Sequence, residues 1–274
     1  MNPIPRPAHL PDFQRPPLDE LVMGVQFERI PGFASMNVAE VWSLYKGEYP
    51  NLQELPLLPP QFEIFGGVNP LPPIHFFGTG PLGSRMWFIS EDKNYLLQFQ
   101  ADRLLTNWRR NPDQKQDSSK PYPRFEAIAE AYRLNLNTLN LYFESTFSHP
   151  IKVNQAEISY INIIPAESFS EVGKWFSILN SDSLDIEGLN LNFNEVIRDS
   201  ADRPVARLFH TIQSVILPDR GRKAFHLSLT FRGKPTGTDI DSALKLIRLG
   251  REAIVTRFKA ITTEAAHQIW GMTN

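Results

Sequence analysis

The sequence predicts an α+β protein of two quasi-repeated units, each an antiparallel sheet gripping a long helix. Three observations lead there. Several stretches alternate apolar and polar residues at the period of a half-buried strand. Two long stretches carry apolar residues at helical spacing. The order strand–helix–three strands–helix occurs twice along the chain, as expected when each sheet must cover its apolar face.

The elements follow in order. Residues 21–28 form the first strand, with Leu21, Met23, Val25 and Phe27 alternating with Val22, Gly24, Gln26 and Glu28. Asn37 and Glu40 have the spacing of a capping box, and Val38, Val41, Trp42, Tyr45 and Tyr49 then share one helical face. Strands are expected at residues 62–65, 85–90 and 95 to about 106, the last two joined through the turn cluster at residues 90–94. Pro123 suits the first turn of a long helix with Phe125, Ile128, Tyr132, Leu136, Leu139 and Phe143 as its stripe.

The second half starts with a strand at residues 156–164. Ser168 and Glu171 cap a helix carrying Val172, Trp175, Phe176 and Leu179. Strands at 190–199, 205–216 and 223–232 are separated by polar turns, and Asp239 caps the second long helix. A short final helix holds His267 and Trp270. The expected organisation is a proline-rich arm (1–18), a first unit (19–150) and a second unit (151–274), the two units able to form one compact domain. The halves share element order and no evident residue identity.

Bulk composition narrows the function classes. The chain has 274 residues and a formal net charge of −2, so no global basic field favours nucleic acid. It has no cysteine, which excludes disulfides, thiolate metal sites and cysteine nucleophiles. The N-terminus lacks the apolar core of a signal peptide, and no apolar run reaches membrane-helix length, so a cytoplasmic protein without membrane contact is expected. Fourteen of the 23 prolines fall at residues 3–17 and 50–81, which predicts extended connectors. In the first, Ile4, Leu10 and Phe13 are spaced apolar anchors.

Gly78, Gly80 and Gly83 match the glycine spacing of a dinucleotide loop. Pro81 removes one amide and a strand follows, so no phosphate-binding helix N-terminus is available. The six histidines lack metal-ligand spacing, and no cofactor or metal is expected. His210 and His226 could face each other across a hairpin, and with Ser228 would allow a hydrolase. A one-residue register change reverses that geometry, and no nucleophile elbow or orienting acid accompanies it. Satisfied strand residues are the plainer reading. Paired carboxylates fall in turns and caps, where acids are common.

Residues 96–111 raise the sharpest question. Gln98, Gln100, Asp102, Arg103 and Asn107 crowd among Leu97, Phe99, Leu104, Leu105 and Trp108. Read as one strand, such groups can be buried only if they satisfy one another. This predicts a structural network at Gln98, Gln100, Asp102, Arg103 and Asn107. In a regular strand Asp102 and Arg103 point to opposite faces, so each needs its own partner. Trp108, Arg109 and Arg110, with Arg124 beyond the following loop, form a candidate contact surface. Arginines beside rings suit single-stranded nucleic acid, and equally suit covering a sheet edge.

Residues 16–27, 98–110, 122–128 and 266–271 together resemble a sporadically distributed bacterial family of uncharacterised proteins of similar length. The Asn107-Trp108-Arg109 segment and Tyr122-Pro123-Arg124-Phe125 are the most specific part. The resemblance implies a bacterial, cytoplasmic protein with an accessory role, and it brings no catalytic residue or cofactor. The leading expectation is a non-enzymatic module that binds a protein partner, in an antitoxin-like or defence setting. The alternatives are a single-stranded nucleic-acid-binding module and a cryptic hydrolase.

Overall fold

A computed structural model describes residues 6–66, 84–110, 122–179, 185–218 and 221–273. The fold is α+β, with one continuous antiparallel sheet. Its strands are β1 (Leu18–Phe27), β2 (Asn51–Leu55), β3 (Arg85–Ile89), β4 (Tyr95–Gln100), β5 (Arg103–Arg109), β6 (Val153–Pro165), β7 (Asn190–Arg198), β8 (Pro204–Ile216) and β9 (Lys223–Gly233). They lie side by side in the order β2-β3-β4-β5-β1-β6-β9-β8-β7. The helices are α1 (Val38–Tyr45), α2 (Phe125–Phe147), α3 (Val172–Trp175), α4 (Ile240–Ile261) and α5 (Glu264–Ile269).

Each half begins at the middle of the sheet. From β1 the chain passes through α1 to the edge strand β2 and returns by β3, β4 and β5 to lie beside β1. From β6 it passes through α3 to the other edge, β7, and returns by β8 and β9 to lie beside β6. β1 and β6 pair along their length, with Met23 opposite Ile158 and Val22 opposite Ser159. The expected boundary between residues 150 and 151 therefore leads into a shared sheet.

Strand alternation sets the two faces of this sheet. Met23, Val25, Leu97, Leu104, Trp108, Ile158, Leu208, Leu227, Leu229 and Phe231 are buried on the helix side. There α4 lies over β6 and β9, while α2 lies over β5. Contact between α4 and the sheet is close at Gly250, where an added Cβ would sit 2.5 Å from the Phe231 ring and 2.7 Å from Ile158.

The first half departs from expectation in three places. Residues 51–55 form a strand inside the presumed connector, and four of its five side chains are exposed, so no apolar alternation marked it. Residues 62–65 are irregular rather than a strand. The single strand expected at residues 95–106 is two strands, β4 and β5, joined by a tight turn at Ala101 and Asp102. Asp102 is its one turn-favouring residue, and glycine, proline and asparagine are absent from it.

Asp239 caps α4 by accepting the Ser242 N–H at 2.8 Å, and Ser168 accepts the Ser170 N–H at 3.2 Å. At Asn37 the capping box is replaced by bonds to the Ala34 N–H and the Glu40 carboxylate. The arm docks through its anchors. Leu10 and Phe13 are buried, and Phe13 meets Phe258 edge-on at 5.3 Å. Its backbone bonds the chain end, from Gln14 N to Gly271 O and from Thr273 N to Asp12 O. Ile4 and the Gly78–Gly83 loop lie outside the described residues, whereas the stretch just after that loop is β3, a strand as expected.

Candidate binding face of the sheet

The face away from the helices is polar because alternate strand residues are polar. β9 contributes His226, Ser228, Thr230 and Arg232, and β7 contributes Asn190, Asn192 and Asn194. Ser159 and Thr230 share a hydroxyl–hydroxyl bond of 2.7 Å across the β6–β9 pair.

A strap crosses one end of this face. Residues 56–66 leave β2 and run across β4, β5, β1, β9 and β8 without joining the ladder, and sheet side chains bond the strap's peptide groups. Gln100 accepts the Leu58 N–H at 2.9 Å and donates to the Leu58 carbonyl at 3.0 Å. Gln26 treats Gln61 in the same way, at 3.1 and 3.4 Å. Arg103 donates to the Pro59 carbonyl at 3.2 Å, and Arg207 donates to the Ile64 carbonyl at 2.6 Å. Glu63 closes the strap, its carboxylate 2.6 Å from Arg207 and 3.4 Å from Arg232. Glu157 takes the other side of Arg232 at 2.8 Å.

This arrangement answers the question raised by residues 96–111. The five polar residues divide into two groups. Gln100, Asp102 and Arg103 hold the strap, with the Asp102 carboxylate 3.0 Å from the Arg103 guanidinium. Asp102 and Arg103 therefore partner each other, contrary to the expectation of opposite faces, because the turn takes Asp102 out of the strand. Gln98 and Asn107 form a separate chain. Gln98 donates to Asn107 at 2.8 Å, and Asn107 donates to Glu20 at 2.6 Å. Burial raises the Glu20 carboxyl above its ordinary value, and the bond from Asn107 partly offsets this.

The free oxygen of Gln98 points outward and accepts from two groups, Arg85 Nη1 at 2.9 Å and Trp87 Nε1 at 3.0 Å. The Trp87 ring is flanked by two guanidiniums, Arg85 at 5.6 Å and Arg109 at 5.9 Å. Desolvation, then repulsion from Arg103, lowers the Arg85 pKa.

The four residues expected to form one contact surface do not do so. Trp108 is 1% exposed on the helix side, where its ring meets Tyr122 at 5.1 Å. Strand alternation puts it on the face opposite Arg109. Arg109 is half-buried on the polar face and donates to the Lys93 carbonyl at 3.1 Å. Arg110 is exposed and donates to the Leu18 carbonyl at 3.2 Å. Arg124 pins the arm through Asp12 at 2.9 Å, from a backbone φ of 78°. The ring beside Arg109 is Trp87, two strands away. An arginine and a tryptophan two apart in one strand, Arg85 and Trp87, were the overlooked signal.

The two histidines are separated by the sheet. His210 lies on the helix side, stacked on Phe193 at 4.2 Å, with its Nε2 2.7 Å from Glu195. His226 lies on the polar face, paired in register with Gln213 and Ile163. Burial lowers the pKa of both, against the raising influence of Glu195 and Asp19 respectively. They cannot share a reaction centre.

Among the described residues, no group of three acidic or histidine side chains could hold a metal ion, and no helix is long and apolar enough to cross a membrane. No protein-family model and no curated protein matches the chain.

Proposed function

We propose that the protein is a binding module rather than a catalyst, and that it takes up an extended segment of a partner protein along β7. The unequal treatment of the two sheet edges carries this reading. Edge strands invite pairing, and natural proteins blunt them with short length, proline or lysine. β2 has five residues and is followed by Pro56, Pro59 and Pro60. β7 has nine residues, with neither proline nor lysine, and among the described residues nothing pairs with its outer side. Its one charge on the helix side, Glu195, is matched by Arg257 of α4. Such an edge suits strand addition, in which main-chain bonds give affinity and alternate side chains give selectivity.

The cytoplasmic accessory role implied by the sequence resemblance fits this reading. The shared path of the two halves supports a duplication, to be tested by superposing residues 19–146 on 155–260.

The test compares tagged wild type with an Asn192→Lys/Val196→Lys variant in the native host. Both positions are exposed, so folding should be unchanged. The expected result is one stoichiometric partner held by wild type and lost by the variant, with slower amide exchange at residues 190–198 in the complex. Equal capture by both proteins, or no stoichiometric partner, defeats the proposal.

A further inference from the structure

We infer that the Arg85–Trp87–Arg109 cluster is a second binding site, separate from β7, and that its ligand is single-stranded nucleic acid. The cluster stands on the polar face at the β3–β5 end of the sheet, whereas β7 is the opposite edge. Trp87 is half-buried with two guanidiniums over its ring, so a base would stack on the guanidinium planes that the ring backs, and the two cations would meet the flanking phosphates. Lys93 and Arg110 are exposed beside the same strand ends and add positive charge. Acids stand nearby as well, and Asp19 faces Arg110. Glu20 accepts from Asn107, Asp92 accepts from Ser90 at 2.8 Å and Glu54 accepts from Ser84, while Glu54 and Glu91 are exposed.

The platform is also held in place from behind. Gln98 fixes both Trp87 and Arg85, Asn107 fixes Gln98, and Glu20 fixes Asn107. Every link is a side-chain bond, and Gln98 and Asn107 are buried. Holding a ring and a guanidinium in one arrangement reduces the ordering that a ligand must impose. A chain with net charge −2 does not collect nucleic acid through a global field, so local geometry must supply the affinity.

The test uses the full chain and fluorescein-labelled dT12 and rU12 oligonucleotides, read by anisotropy at several salt concentrations. A duplex of equal length serves as comparison. Saturable binding to a single strand is expected, stronger than to the duplex. With two phosphate contacts the slope of log K against log salt should be about −1.4. Trp87→Ala should weaken binding about tenfold or more, and Arg109→Ala should reduce the slope by about 0.7. Melting curves check that both variants fold, and Arg109→Ala alone decides if Trp87→Ala does not. Absence of binding at low salt, equal binding to the duplex, or unchanged binding by the folded variants overturns the inference.

Discussion

Replacing Glu63 by glutamine should loosen the strap more than it loosens the fold. The Glu63 side chain is 5% exposed and faces Arg207 and Arg232, whose side chains are 10% and 18% exposed. Removing the charge takes the Glu63 carboxylate from Arg207, which keeps the Ile64 carbonyl and the Phe65 ring at 4.8 Å. Breaking a buried pair typically costs roughly 3–5 kcal/mol. Here the strap can lift and admit water, so the loss is limited to the strap's own attachment energy. Arg232 also keeps Glu157. A loss of about 2–4 kcal/mol is therefore expected for Glu63→Gln. Urea melts measure it, and hydrogen exchange should quicken at residues 56–66 while β1 and β6 stay protected. In an Arg207→Met background Glu63→Gln should cost less, because the ion pair it removes is already gone. A loss below about 0.5 kcal/mol, with unchanged exchange at residues 56–66, would refute the buried-pair account.

Four further outcomes are expected. Trp108→Ala should cost roughly 3–5 kcal/mol in a denaturant melt, because the ring is in the core, whereas Arg109→Ala should stay within about 0.5 kcal/mol. Gly250→Ala should lower the melting temperature even though alanine favours helices, since overpacking against Phe231 and Ile158 costs about 1–3 kcal/mol against a gain of about 1. The contribution of the buried histidines to stability should fall on acidification from pH 7.5 to 5.5. His210, His226 and His267 all have pKa values lowered by burial, so the folded protein binds fewer protons than the unfolded chain. Their contribution is complete above about pH 6.5, the unfolded value, and is lost as pH falls through the folded values. His226→Gln should shrink the difference between the two urea midpoints. Deleting residues 1–12 removes buried Leu10 and the Asp12–Arg124 pair, and should lower the melting temperature by about 5 °C or more. An unchanged melting temperature would make the arm a passive tail.

Much of the architecture was legible because burial writes itself into period. The strand expected at residues 223–232 is β9, where Phe225, Leu227, Leu229 and Phe231 alternate, and the stripe from Phe125 to Phe143 located α2. β2 was invisible because a strand exposed on both faces carries no apolar pattern. The β4–β5 hairpin was read as one strand because its turn carries a single turn-favouring residue, Asp102, without glycine, proline or asparagine. The polar network at Gln98, Gln100, Asp102, Arg103 and Asn107 was legible as such, and its purpose was not. Its partners are Leu58 and Pro59, about forty residues earlier, and Arg85 and Trp87 on the neighbouring strand. Trp108 was misassigned because adjacency in sequence to Arg109 means opposite sides of a strand.

The glutamine clasps at Gln26 and Gln100 divide the strap into two kinds of position. They use the amide hydrogens of Leu58 and Gln61 and no other amide of the strap. Pro56, Pro59 and Pro60 occupy positions where no amide hydrogen is demanded, and Pro59 still offers its carbonyl. Proline here limits the wandering of the detached segment without removing a bond from the attached one. Because the clasps grip main chain, the side chains of Leu57, Phe62 and Ile64 are left outward and exposed. Substitutions at those three leave the clasps' main-chain bonds in place, while a proline at 58 or 61 would open the clasp.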